Sequence, residues 1–279
     1  MPQRVPDNQY VVVMLDVLGF KVKMRSDTAP ETFRAFVEEV VGAKQVFDCE
    51  TECAPVQALV RETNERVHLW SDTLVFLKGP LTPADGRALS SAAAFATNCI
   101  TSGLPQGLLM RGAIAVGSVF QDQTVHAVAG PAIVECAEHY EALDWVGCHL
   151  CPSAERFLAE MNDGDRNRTN TWLNRGKVPW KGKTGLTIAG TAMHVAWLDA
   201  AVREITGNPR AQEDTYLSTR LAKCRADPVC LDAVAREYYR DLLDAYAEKN
   251  PQSDVRTKVQ NTLEFMGPRK QGSLRLYTK

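Results

Sequence analysis

The sequence predicts an α/β fold, a mixed sheet flanked by helices, followed by a helical C-terminal extension. The apolar run VVVMLDVLGF (11–20) is typical of a strand buried on both faces. RVHLWSDTLVFLKG (66–79) is typical of two antiparallel strands with a turn at Ser71-Asp72. The order strand, helix, hairpin, helix, strand, helix, strand up to about residue 200 fits a mixed α/β domain. We expect one domain over 1–200 and a mainly helical extension over 201–279, packed on the same unit.

The other elements follow from apolar periodicity and turn residues. Helices are expected over 30–48, over 83–102, from Gly130-Pro131 to about Leu143, and over 155–162. Strands are expected over 108–120 and in the first part of 144–154, whereas 163–176 is predicted to be a polar loop. The tail from about 210 to 265 is predicted to be largely helical, and the final segment SLRLYTK is expected to be an edge strand.

Bulk composition limits the class of partner. The chain has 279 residues, 45% of them hydrophobic, and 32 basic against 34 acidic residues, for a net charge of −2. This balance gives no support for attraction to nucleic acid or to a membrane surface. The N-terminus lacks the apolar core of a signal peptide, and no apolar run approaches the length of a membrane span. We therefore expect a cytoplasmic protein.

The 8 cysteines are expected to be free thiols in that compartment. Cys148-His149-Leu150-Cys151 has the spacing of half a zinc site. No second pair matches it, and positions three apart on a strand point to opposite faces, which argues against zinc. Cys224 and Cys230 flank Pro228 and are close enough in sequence to bridge two helices, but the compartment argues against a disulfide.

Two aspartates stand at the ends of predicted strands. Asp16 precedes the turn at Gly19, and Asp72 lies in the hairpin turn. Each has an ordinary interpretation, Asp16 as a helix cap and Asp72 as a turn residue. Brought together by adjacent strands, they would instead hold one or two divalent cations that bridge a triphosphate. The backbone N–H groups from Val17 to Phe20 would then cradle phosphate oxygens.

Asp16 in LDVLGF, Asp72 in WSDTLVF and the strand RGAIAVGSVF together resemble the class III nucleotide cyclases. MRGAIAVGSVF, GPAIVECAEHYE and DWVGCHLCPSA are more similar to a bacterial antiphage branch, the Pycsar pyrimidine cyclases, over roughly residues 8 to 200. The resemblance implies a homodimeric catalytic domain with active sites at the interface. It would convert UTP, or alternatively CTP, into the 3′,5′-cyclic monophosphate and pyrophosphate with two Mn²⁺ or Mg²⁺ ions. The product would be a second messenger that acts on a separate effector.

The same resemblance assigns roles to individual residues. Asp16 and Asp72 would be the catalytic metal ligands, and Val17 would be a further metal ligand. Arg66 stands where purine cyclases place a base-reading lysine and would donate to a pyrimidine carbonyl; the alternative is a solvent-facing strand residue. In VPWKGK, two lysines match a loop that contacts the triphosphate, with plain surface lysines as the alternative. The implied substrate-binding set is Val17, Leu18, Gly19, Phe20, Arg66, Lys181 and Lys183.

The sequence departs from the purine cyclases on one helix. Those enzymes carry an asparagine and, one turn later, an arginine where this chain has Val134 and Glu138. A glutamate cannot stabilise phosphoryl charge as an arginine does. Either another basic residue serves, such as Lys21, Arg25 or Arg111, or the base and ribose are held differently. A purine cyclase is therefore disfavoured. The alternative from another class is an inactive cyclase fold that binds a nucleotide or a partner.

Overall fold

A computed structural model of the chain describes residues 9–25, 31, 34, 65–82, 85–122, 127–181, 192–199, 228–249 and 252–266. The described part is a mixed α/β structure, as predicted, built on a seven-stranded sheet with strand order β2-β3-β1-β4-β7-β9-β8 and a separate two-stranded β5-β6 ribbon. The strands are β1 (Gln9–Val17), β2 (Glu65–Trp70), β3 (Thr73–Lys78), β4 (Met110–Ser118), β5 (Phe120–Asp122), β6 (Ala127–Ala129), β7 (Gly147–Leu150), β8 (Leu173–Gly176) and β9 (Ala192–Val195).

Strand β1 lies at the centre of the arrangement that positions the site. It pairs antiparallel with β3 on one side and with β4 on the other, and β4 in turn pairs parallel with β7. Five consecutive residues of β1, Val11 to Leu15, are buried, which is why its sequence is a continuous apolar run instead of an alternating one. Hairpin β2-β3 turns at Ser71-Asp72 as predicted, with Ser71 at a φ of +58°.

Helices cover both faces of the sheet. Val11, Val13 and Leu15 face the larger core, which helices α2, α6 and α7 help to build. Val12 and Met14 face the opposite way, into a smaller core under α3. The helices are α1 (Phe20–Lys23), α2 (Ala88–Gly103), α3 (Pro131–Ala142), α4 (Pro152–Glu160), α5 (Asp163–Asn170), α6 (Pro228–Lys249) and α7 (Ser253–Phe265), with a short 3₁₀ turn at Leu104–Gln106.

The predicted polar loop over 163–176 is wrong. The structure has helix α5 there, followed by strand β8. The helix carries no apolar stripe, so periodicity alone misses it; its start is fixed by Asn162, whose side chain accepts a hydrogen bond from the N–H of Asp165 at 3.0 Å. The predicted helix over 30–48 lies almost wholly outside the described residues, and SLRLYTK lies outside them entirely.

Among the cysteines that the structure describes, four are free thiols as predicted and one is not. Cys99, Cys136, Cys148 and Cys151 are buried free thiols. Cys230 is disulfide-bonded, which corrects the expectation of a free thiol at that position. Its neighbour Cys224 lies outside the described residues.

The last two helices pack into the main core. Tyr239, Leu243 and Tyr246 of α6 are buried in it together with Val255 and other residues of α7. The C-terminal helices therefore contribute directly to the hydrophobic layer that supports β1.

Among the described helices, none is long and apolar enough to cross a membrane.

Candidate functional site

Asp16 and Asp72 lie at the same end of the sheet. Asp16 stands opposite Thr73, the first residue of β3, and the N–H of Val17 donates to the carbonyl of Asp72 at 2.9 Å. The two carboxylates are close enough for the charge on Asp72 to raise the pKa of Asp16. The hairpin and the central strand thus bring the two predicted acids together.

The face on which Asp16 lies follows from strand periodicity. Val12 and Met14 point toward α3, and Asp16 continues that row two residues further on. In β4, Ala113 and Ala115 point the same way, and Arg111 extends their row. Because Asp16 and Arg111 are also directly opposite each other in the register, their side chains meet on the α3 face of the sheet.

Arg111 forms an ion pair with Asp16. Its Nε donates to Asp16 Oδ2 at 2.9 Å, and only 13% and 14% of the two side chains are exposed. Its Nη1 donates to the carbonyls of Leu143, at 3.3 Å, and Glu141, at 3.4 Å. The guanidinium also lies 5.7 Å from the centre of the Tyr140 ring. Arg111 is one of the three basic residues considered from sequence as a replacement cation.

Burial dominates the electrostatics of Asp16. Loss of solvation raises the pKa of its carboxyl above the ordinary value, and the charge on Asp72 adds to this effect, whereas Arg111 and Lys258 oppose it. A carboxylate whose burial outweighs one bound cation still gains from further positive charge. Asp16 is therefore suited to bind an additional cation, as a metal ligand must be.

Two lysines add positive charge around this pair. Lys181, a predicted phosphate contact, donates through Nζ to the carbonyl of Glu141 at 2.5 Å, and its N–H donates to the carbonyl of Ala142 at 2.9 Å. Burial lowers the pKa of Lys181, and the positive charges of Arg111 and Lys258 lower it further. Mutual repulsion among cations is typical of a site that receives an anion.

Lys258 is the cation that sequence reasoning missed. It lies on α7, with 5% of its side chain exposed, and its Nζ is 3.3 Å from Asp254 Oδ2. Burial acts to raise the pKa of Asp254, but the charge and hydrogen bond of Lys258 and two backbone hydrogen bonds together lower it. Because Lys258 is separated from Asp16 by most of the chain, no local pattern connects the two.

Tyr140 of α3 was also missed. It packs against the smaller core beside the Asp16 row. Burial raises the pKa of its hydroxyl, the charge on Asp16 adds to this, and a hydrogen bond with Thr73 opposes it. The helical pattern of GPAIVECAEHYE predicts that one face of α3 packs inward. The pattern does not indicate that the Tyr140 hydroxyl on this helix lies near Asp16.

The turn after β1 is tightly bound to its surroundings. The N–H groups of Val17 and Leu18 donate to the carbonyls of Asp72 and Leu109 at 2.9 Å and 2.8 Å. These two amides are therefore already paired in this conformation, whereas the predicted phosphate cradle would use them as donors. The rest of it, Gly19 and Phe20 at the start of α1, stays a prediction.

The other predicted site residues stand as follows. Arg66 is in β2 opposite Leu77, and the structure does not describe its side chain. Lys183 lies outside the described residues, and Lys21 and Arg25 are exposed. Val134 and Glu138, at the positions of departure from purine cyclases, are exposed on α3. The direct partner of Asp16 is thus Arg111 and neither of the basic residues after β1.

No family model matches the chain, and no curated protein matches it.

The chemistry open to this protein therefore follows from the side chains that meet around Asp16. Asp16 and Asp72 supply the oxygen ligands that Mg²⁺ and Mn²⁺ prefer. The raised pKa of Asp16 and the adjacent acid both fit a site that takes up cations, so the residues present fit the implied metal. Around them, Arg111, Lys181 and Lys258 are suited to the negative charge of a phosphorylated ligand.

Proposed function

We propose that this protein is a pyrimidine nucleotide cyclase that converts UTP into 3′,5′-cyclic UMP and pyrophosphate, with CTP as the alternative substrate. The observation that carries the proposal is the meeting of Asp16 and Asp72 at one end of strand β1, next to the mostly buried Arg111. By its resemblance to the Pycsar branch, the product would be a second messenger in antiphage defence that acts on a separate effector.

The proposed reaction forms one bond and breaks one. The 3′-oxygen of the ribose attacks the α-phosphorus, the bond from the α-phosphorus to the bridging oxygen breaks to release pyrophosphate, and the hydroxyl proton passes to water. Asp16 and Asp72, with Val17 as the proposed third ligand, would hold the divalent ions, which when bound would supply acidification of the 3′-hydroxyl and charge stabilisation for the phosphates. The protein's own task is to position the triphosphate and to supply cations around it.

Arg111 is proposed to exchange partners when substrate arrives. In the structure its Nε donates to Asp16 Oδ2, and a metal bound by Asp16 would replace this contact. Its Nη1 also donates to the carbonyls of Leu143 and Glu141, and these hydrogen bonds would keep the guanidinium near the site after it leaves Asp16. We propose that it then donates to a phosphate oxygen, in place of the arginine that purine cyclases carry on the helix.

The proposed homodimer rests on one further observation. Among the described residues, the large hydrophobic side chains that stand exposed are Phe120, with 62% exposed, and Val134, with 54% exposed. Phe120 belongs to the β5-β6 ribbon that leads directly into α3, and Val134 lies on α3 itself. We propose that a second copy of the chain covers this segment, which would remove both side chains from water.

A product assay tests the proposed activity. Purified protein is incubated with Mn²⁺ and each of the four ribonucleoside triphosphates, and the products are separated. We expect cyclic UMP, or cyclic CMP, together with pyrophosphate. Absence of any cyclic product overturns the enzyme proposal, and cyclic AMP as the main product overturns the pyrimidine assignment.

Variants test the residues. Asp16→Asn and Asp72→Asn are expected to abolish turnover while the fold is kept. The matched control is Asp163→Asn, because Asp163 is 91% exposed on α5 and belongs to another part of the surface. Near-normal turnover in either of the first two variants means that the metal assignment is wrong.

The ion pair itself favours a second candidate. Since Arg111 already occupies Asp16 Oδ2, a chain that never exchanged this partner would bind a nucleotide without turning it over. Such an inactive module binds UTP or CTP in a calorimetric titration with Mn²⁺ but gives no cyclic product. A catalyst binds and releases product, so the two experiments together separate the candidates.

A further inference from the structure

A second cluster of chemically active side chains lies elsewhere on the α3 face of the sheet. It consists of His139, His149 and Cys151, whose donor atoms all lie within 4.8 Å of one another. All three residues are buried, with 6%, 1% and 0% of their surfaces exposed. No role in the proposed cyclase reaction calls for them.

Strand periodicity explains how the cluster forms. His149 is opposite Ala113 in β4, so it points toward α3, and Cys151 follows two residues later on the same side. Cys148 points the other way, into the larger core. The sequence argument that Cys148 and Cys151 cannot share a metal is thus correct. The pair that meets is His149 and Cys151, completed by His139 from α3.

The histidines lack the partners that buried imidazoles normally have. Within the described part of the chain, neither Nδ1 nor Nε2 of His149 has a partner in hydrogen-bonding geometry, nor does Nδ1 of His139. A buried polar atom left in this state costs about 1–3 kcal/mol. The two rings stack with their centres 5.0 Å apart, and the edge-on Trp180 ring lies 4.8 Å from His149.

We propose that His139, His149 and Cys151 form a buried binding site for a thiophilic transition-metal ion, with Zn²⁺ as the expected occupant. Imidazole and thiolate are the ligands that Zn²⁺ prefers, and three protein ligands of this kind occur in known zinc sites. Metal–nitrogen and metal–sulfur bond lengths imply ligand-to-ligand separations of about 3.5 Å, so the cluster has to contract by roughly 1 Å around an ion.

Cys136 is the nearest candidate for a fourth ligand. It lies three residues before His139 on α3, on the same helix face, and is fully buried. Like Cys151, it belongs to the smaller core between α3 and the sheet. At present its Sγ lies 3.5 Å from the carbonyl oxygen of Ala113 and 3.6 Å from that of Val12. Joining the metal would replace these weak contacts.

Binding of the metal ion would change the protonation of one of its ligands, the thiol of Cys151. Burial lowers the pKa of His149 to about 3, with the neighbouring His139 acting in the same direction; an opposing interaction with the Leu150 backbone falls short of hydrogen-bond geometry. The imidazole is therefore neutral and ready to ligate. Burial raises the pKa of the Cys151 thiol, so binding forms the metal–sulfur bond and releases one thiol proton to solvent.

Such an ion would fasten α3 to β7. His139 is adjacent in sequence to Tyr140, whose ring lies against Arg111. The metal would thus hold the helix that completes the surroundings of Asp16, without touching the acids themselves. This role is independent of the cyclase proposal, because it concerns other ligands and a different class of metal.

The test begins with the unaltered full-length protein. It is purified without chelators, and its zinc content is measured by mass spectrometry; we expect about one ion per chain. Protein produced in cobalt-supplemented medium is expected to show thiolate-to-cobalt charge-transfer absorption. Oxygen ligands such as Asp16 and Asp72 do not give this absorption. Zinc content near zero together with no charge-transfer band overturns the proposal.

Matched variants then identify the ligands. Cys151→Ala is expected to remove the charge-transfer band and to weaken zinc binding by about 100-fold or more, the upper end of what even outer-shell changes cost. Cys148→Ala is the control, because Cys148 is equally buried three residues away but faces the other core. His194→Asn is a second control, since His194 lies opposite His149 in β9 and outside the cluster. Equal losses in Cys151→Ala and Cys148→Ala contradict the assignment.

Discussion

Replacement of Arg111 by methionine tests the ion pair on which the site depends. The pair is 2.9 Å long with 13% and 14% of its side chains exposed, so it is largely shielded from solvent. Removing one partner of a buried pair costs about 3–5 kcal/mol, because the other charge is left without compensation. We therefore expect Arg111→Met to lower the free energy of unfolding by about 3 kcal/mol or more at pH 7 without metal.

The assay is urea unfolding followed by circular dichroism, with EDTA present. Arg175→Met is the control, because Arg175 and Glu155 form a 3.5 Å surface pair with 54% and 31% of their side chains exposed. Pairs of that kind contribute about 0–1 kcal/mol. Adding Asp16→Asn to Arg111→Met removes the uncompensated charge, so the double variant is expected to regain much of the loss.

Two conditions sharpen this experiment. In Arg111→Met, the pKa of Asp16 rises further, because burial and Asp72 then act without the opposing Arg111 charge. A carboxyl whose pKa is raised in the folded state contributes stability at low pH that is lost as pH rises through that pKa. The deficit should therefore shrink on acidification, and millimolar Mn²⁺ should also reduce it. A loss no larger than that of Arg175→Met, insensitive to Asp16→Asn and Mn²⁺, refutes the reasoning.

Three further outcomes are expected. Val134→Glu should convert the proposed dimer into a monomer in light scattering, whereas an unchanged mass would remove the dimer role of the surface that includes Phe120. Tyr246→Phe should cost about 1 kcal/mol in urea unfolding, because the buried hydroxyl donates to the Leu18 carbonyl at 3.3 Å; no change would mean that this bond is not formed in solution. Burial raises the pKa of Asp16, so on acidification its carboxyl should take up a proton, and lose Mn²⁺, at a pH above the ordinary pKa of 3.8. If the midpoint of the loss of Mn²⁺ stabilisation lies at pH 3.8 or below, the metal assignment is contradicted.

Features encoded within one element or one hairpin were predictable. The continuous apolar run places β1 in the middle of the sheet, and the Ser71-Asp72 turn fixes the hairpin. Antiparallel pairing of these two pieces then brings Asp16 near Asp72 without further information. Helix α3 is equally local, since Gly130-Pro131 marks its start and an amphipathic pattern continues to Ala142.

Features that depend on packing between distant segments were not predictable. Lys258 follows Asp16 by more than 200 residues, and nothing in the sequence around either residue indicates that they share a site. The metal cluster was missed for a different reason. The CHLC spacing drew the comparison to Cys148 and Cys151, whereas the two-residue period of a strand selects His149 and Cys151. Its third member comes from α3, and only the packing of α3 on the sheet reveals it.

The C-terminal helices bear on the site more directly than an appended segment would. A side chain at Gly19, whose φ is +72°, would meet Gln252 Oε1 at 3.4 Å and the Tyr246 hydroxyl at 3.5 Å. The turn proposed to hold phosphate is therefore covered by the end of α6 and the start of α7, and α7 also supplies Lys258. Removing these helices would expose the larger core and withdraw a cation at once. Loss of activity on truncation would therefore have two causes, the exposed core and the missing cation. Lys258→Met in the full-length chain removes the charge alone.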